Sequence, residues 1–269
     1  MTVSKILAAA AVTGAMLVAA APASAASVTF ATYSPIGTSA NLYWKNDGDK
    51  GVQGTGGSLY TISSASSKVA GSSLVKFSFL QASLVPYISN IDATFTLFAT
   101  APSGNPATLI GNIIVQPEIT GSFSFLTTSA ITVGTHTFAA GSNLLSATFD
   151  GANILGQRVG TSGSAGGSTS GGTPIVYTSD FLDFSSTIDQ DFQLSLTSIF
   201  SALQAVPTSG TPTKALRTFR ATSSGNFSSD PAPIVTAVPE PAVWGLMILG
   251  FGMVGMQTRR RAHNAKVVA

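Results

Sequence analysis

The chain has 269 residues, 44% apolar and only 9% charged, with 36 serines, 31 threonines and no cysteine. Without cysteine, a disulfide scaffold, a Cys-ligated zinc or iron–sulfur site and a Cys nucleophile are excluded. Sparse charge with abundant Ser, Thr and Gly points to an extracellular all-β chain, and between Ala26 and Val238 eight Lys+Arg stand against ten acids, a net of −2, which removes the basic face that nucleic-acid binding needs.

Residues 1–25 read as a secretory signal peptide. Lys5 precedes an apolar stretch from Ile6 to Ala21, and Ala23-Ser24-Ala25 sets small residues at the −3 and −1 positions of a cleavage site between Ala25 and Ala26. That pattern implies passage through the Sec translocon and removal by signal peptidase.

From Ala26 to Ser229 the pattern alternates with period two and is rich in β-branched and aromatic residues, as half-buried strands require. Strands are expected at 28–33, 58–62, 74–79, 92–99, 109–115, 119–126, 131–138, 144–149, 152–159, 174–178, 191–197 and 215–221. In the third, Val75, Phe77 and Phe79 share one face and Lys76 and Ser78 the other; Asp191 to Thr197 alternates without a fault. The expected fold is one all-β domain, an antiparallel β-sandwich or jelly roll. Asp150-Gly151 predicts a tight hairpin. Gly160 to Gly172, with six glycines in thirteen residues, predicts a flexible loop. Asn46 to Gly54 is a second turn-rich loop, and Ser201 to Gln204 is the one short helix candidate. Asp230 to Val238 reads as a Pro-rich linker.

Beyond it stand Pro239-Glu240-Pro241, then Trp244, an uncharged run over 242–257 containing Gly250-Phe251-Gly252, and Arg259-Arg260-Arg261. As a helix those 16 residues would be about 24 Å long, just short of a bilayer core of about 30 Å. Arginines flanking a span stay cytoplasmic, so this short transmembrane helix leaves residues 26–241 outside the inner membrane, Trp244 at the outer interface and 263–269 as a cytoplasmic tail.

These features over 239–262 resemble the PEP-CTERM sorting signal of Gram-negative bacteria, in its PEPxxWA variant. Gly245 stands where that signal usually has Ala, and the chain continues past the arginines. The resemblance implies recognition by exosortase, an integral-membrane cysteine transpeptidase-like enzyme. It further implies cleavage near Pro239 to Pro241 and transfer of the ectodomain to the cell surface or exopolysaccharide matrix.

Catalytic constellations are thin. His136 is the only histidine before the C-terminal tail and sits in strand-like alternation, and no Gly-x-Ser-x-Gly elbow occurs. Asp180, Asp183, Asp189, Asp191 and Glu118 are the carboxylates that a folded chain could bring together for glycoside hydrolysis, and Trp44 is the one tryptophan available there as a sugar platform. Asp47 and Asp49 are weak calcium candidates, with Asp189 and Asp191 behind them; against them stands a solvated turn. The expectation is therefore no enzyme and no cofactor: an exported structural or matrix-interaction protein, or alternatively a secreted carbohydrate-binding module.

Overall fold

A computed structural model describes residues 28–48, 54–207 and 214–234. Eighteen strands and no helix occur among them: β1 (Val28–Pro35), β2 (Leu42–Asn46), β3 (Gly57–Thr61), β4 (Ser73–Phe79), β5 (Ile91–Ala101), β6 (Thr108–Ile110), β7 (Ile113–Thr127), β8 (Ile131–Val133), β9 (His136–Phe138), β10 (Asn143–Gln157), β11 (Gly163–Ser168), β12 (Ile175–Thr178), β13 (Leu182–Asp183), β14 (Asp191–Phe200), β15 (Ala205–Pro207), β16 (Lys214–Leu216), β17 (Phe219–Ser229) and β18 (Ala232–Pro233).

Every pairing is antiparallel, as expected, and the main sheet returns on itself. Hydrogen-bonded neighbours run β1, β4, β5, β7, β10, β11, β14, β17 and back to β1. The two layers of a sandwich are thus joined at both edges into an eight-strand ring. Toward one pole, β2 and β3 replace β1 and β4 between β17 and β5. Closure leaves few free edges, and register irregularities in β1, β10 and β14 supply the bends it needs.

Alternation explains which face turns inward. Val75, Phe77 and Phe79 of β4 are fully buried, as are Phe95 of β5 and Leu196 of β14. Tyr33, Phe95, Phe123, Phe125 and Phe227 fill the middle of the ring, with Phe95 and Phe125 stacked at 4.6 Å. Outside it, Tyr43, Tyr60 and Ile62 form a small second cluster under residues 62–72, where Tyr60 donates to Lys68 O and Arg220 lies over Tyr43.

Four local expectations are corrected. Asp150-Gly151 does not reverse the chain: Phe149 and Ala152 both pair with β7, so positive φ at Gly151 kinks one continuous strand, β10. The glycine run 160–172 is not simply a loop, since its Gly163–Ser168 segment is β11, hydrogen-bonded on both sides and turning Ala165 inward. Ser201 to Gln204 forms no helix; positive φ at Ser201 and a bond from Leu203 N–H to Gly160 O fold it as a loop. The stretches 109–115, 131–138 and 215–221 each hold two strands, the first two parted by turns at Gly111 and Gly134, both at φ +61.

Candidate functional site

The sorting residues Pro239, Glu240, Pro241, Trp244 and Arg259 to Arg261, the pair Ala25 and Ala26, Asp49 and the run 242–257 lie outside the described residues. Among those described, no helix is long and apolar enough to cross a membrane, and no three or more His, Asp or Glu gather.

Individual candidates are occupied by structural bonds. Asp47 accepts from Gly56 N–H and from the Ser103 hydroxyl. Beside it, the Asn46 side chain ties both ends of its loop, accepting from Gly48 and Gly54 and donating to Gly54 O and Leu216 O. Trp44 is fully buried and donates its indole N–H to Leu216 O at 3.1 Å, so it offers no sugar platform. Glu118 accepts from Asn105, whereas Asp180 accepts from Asn143 N–H at the start of β10. Hydrogen bonding from Ser185 holds the exposed Asp183 carboxyl below its usual range. His136 is exposed on the β8–β9 hairpin, edge-on to Phe138.

Two outer faces of the ring have the build of a binding surface. Across β10, β11, β14 and β17, Asn153, Gly166, Gln193 and Asn226 stand in one cross-strand row, with Ser228 and Asp191 beside it, in a groove of about 470 Å³. The amides of Asn153, Gln193 and Asn226 have no side-chain hydrogen-bond partner among the described residues, and Gly166 leaves the floor bare. On the face of β5, β7, β10 and β12, one row reads Thr96, Ser124, Ser146, Thr178 and the next Phe98, Ser122, Thr148, Val176. Phe98 is half exposed there, in a groove of about 410 Å³. None of these three rows was legible beforehand, because the members of each come from strands distant in sequence.

A third groove, about 760 Å³, lies where the described chain ends, between Tyr177, Leu182, Phe184 and Ile234. The first residues of the expected linker are docked here as a strap. Gln81 donates to Pro231 O, Ala232 and Pro233 pair with Asp183 and Leu182, and Ile234 N–H reaches Phe181 O at 2.9 Å.

Residues 237–261 match the family model of the PEP-CTERM protein-sorting motif, an interval holding all seven sorting residues read from the sequence. No curated protein and no solved structure matches the chain. The motif implies exosortase recognition and export with a membrane-anchored sorting stage.

Proposed function

We propose that this chain, which carries the PEP-CTERM motif, delivers its β-barrel to the cell surface or biofilm exopolysaccharide as a structural or matrix-interaction component and not as an enzyme. The sorting match at 237–261 carries this reading. In it, removal of residues 1–25 leaves the barrel in the periplasm, held by 242–257, with Arg259 to Arg261 fixing orientation from the cytoplasmic side. Exosortase then acts near Pro239-Glu240-Pro241. The barrel's outer rows of Ser, Thr, Asn and Gln support a matrix role, since an uncharged hydroxyl and amide coat suits an aqueous polymer network. Intact-mass spectrometry of surface, membrane and medium fractions tests the scheme. Wild type is expected to begin at Ala26 and end near Pro241, and Glu240→Ala to stay in the membrane running from Ala26 to Ala269. Normal release of Glu240→Ala would sink the scheme.

The row of Asn153, Gln193 and Asn226 favours a second reading, a carbohydrate-binding module, because planar amides pair with neighbouring hydroxyls of a neutral glycan over a glycine floor. Affinity electrophoresis of the released protein through neutral polysaccharide is expected to show retardation that Asn153→Ala/Gln193→Ala weakens roughly tenfold. Equal mobility with and without polysaccharide would remove this reading.

A further inference from the structure

The ring gives the molecule two poles. At one lie the loop 80–90, the β8–β9 hairpin, the segment 179–190 and the strap 231–234, because β4, β7, β12 and β17 run toward it and β1, β5, β10 and β14 start from it. The strap marks this as the pole from which the chain leaves for the sorting motif. Its surface combines exposed apolar side chains, Val28, Leu80, Tyr87, Ile188 at 90% and Ile234 at 55%, with Asp180, Asp183, Asp189 and Asp230. His136 stands on the hairpin at the same pole. The one ion pair among the described residues joins Lys76 to Asp92, the second residue of β5, at this same pole, and adds no net charge to it. Lys45, Arg158, Lys214, Arg217 and Arg220 stand toward the opposite pole, and Lys68 beside the Tyr43 cluster.

The strap also limits reach. From Ile234 to Pro239 there are five residue steps, at most about 18 Å of chain. A domain of this size has a radius of gyration of about 17 Å. An enzyme that grips Pro239 to Pro241 therefore has the exit pole of the barrel against it. Of the two surfaces available there, an anionic lipid surface is disfavoured by four carboxylates in excess of the paired Lys76 and Asp92, while a protein face carrying basic and apolar groups is complementary.

We propose that the exit pole is a docking surface for the extracytoplasmic face of the sorting enzyme, kept within about 18 Å of the motif by the docked strap, so that the folded domain and not the motif alone is recognised. This rests on the exosortase reading above. The motif supplies the bond to be cut, and the pole adds a weak second contact that raises the local concentration of that bond at the enzyme.

The test is pulse–chase of the full-length protein in cells that carry the sorting system, reading the processed fraction by mass. Leu80→Ser/Ile188→Ser and, separately, Asp189→Lys/Asp230→Lys are expected to slow processing several-fold. Phe200→Ser, an exposed apolar change at the far pole, is expected to leave it unchanged. Unaltered melting of the released variants checks the fold. Wild-type processing of both pole variants overturns the proposal. If Glu240→Ala is blocked in the same experiment, only the docking surface falls; if Glu240→Ala is processed too, the sorting reading falls with it. Flotation of released wild-type protein with vesicles of phosphatidylethanolamine and phosphatidylglycerol would instead assign the pole to lipid and overturn the proposal; none is expected.

Discussion

The Tyr33 hydroxyl points into the packed ring and donates to Ser223 Oγ at 2.9 Å, while Ser223 donates to Asn41 Oδ1 from both its hydroxyl and its backbone N–H. Tyr177 likewise donates inward, to Asp191 O. Burial pushes both phenols above the ordinary tyrosine value near 10, with a lesser push on Tyr177 from the Asp191 charge. A folded-state pKa raised in this way means that the native state holds its proton longer than the unfolded chain. The stabilisation is whole below about pH 10 and is lost as pH rises beyond it. Wild-type Tm is therefore expected to fall more between pH 8 and pH 11 than that of Tyr33→Phe/Tyr177→Phe, which starts lower by about 0.5–1.5 kcal/mol for each lost hydrogen bond. Equal falls in the two proteins would show that these phenols do not control alkaline stability. At this scale the sequence was least legible. Residue type marked Trp44 and Asp47 as available, but availability depends on which way a side chain points, and both point into structure.

Glycine does two different jobs in the strands. At Gly151, φ of +85 kinks β10 without breaking its pairing to β7. Any other L residue is strained there, so Gly151→Ala is expected to cost about 1–2 kcal/mol and Gly151→Asn less, since Asn tolerates that region. In thermal melts this is a drop of roughly 2–8 °C for Gly151→Ala; a hairpin that never formed cannot explain it, and an unchanged Tm would show that the kink relaxes. In β11 the reason is space: a Cβ on Gly166 would sit 2.5 Å from Phe192 O, and one on Gly163 2.6 Å from Leu155 O. Elements such as β4 and β14 were legible because large apolar side chains mark every second position. β11 and much of β17 were hidden for the opposite reason. The inward positions of β17 include Ser223, satisfied by Asn41, and Gly225, whose missing Cβ makes room for Tyr33. A hydrophobic pattern cannot report an inward face built from hydroxyl and hydrogen.

As a whole, the protein separates a local message from a distributed one. The sorting signal is read along consecutive residues, so its tripeptide, tryptophan and arginines were visible at once and the family match falls on them. All-β character was equally plain, as it needs only the count and period of strands. Ring closure was not, because it depends on β1 meeting β17 across nearly the full domain, nor was the amide row, whose members are gathered from three strands between Asn153 and Asn226.

That same meeting of β1 with β17 sets an order of events during export. β1 needs both β4 and β17 as hydrogen-bonded neighbours, and Ser229, the partner of Val28, precedes Pro239 by ten residues. Until β17 has crossed, one side of β1 stays unpaired, and long-range pairing of this kind is slow and open to misassociation. In the proposed scheme the barrel can thus close only as 242–257 approaches the translocation channel, and with β1 and β17 adjacent, Val28 and Ile234, the first and last described residues, lie at the same pole. In that scheme folding, arrest in the membrane and presentation of the cleavage motif become one nearly simultaneous event, timed by β17.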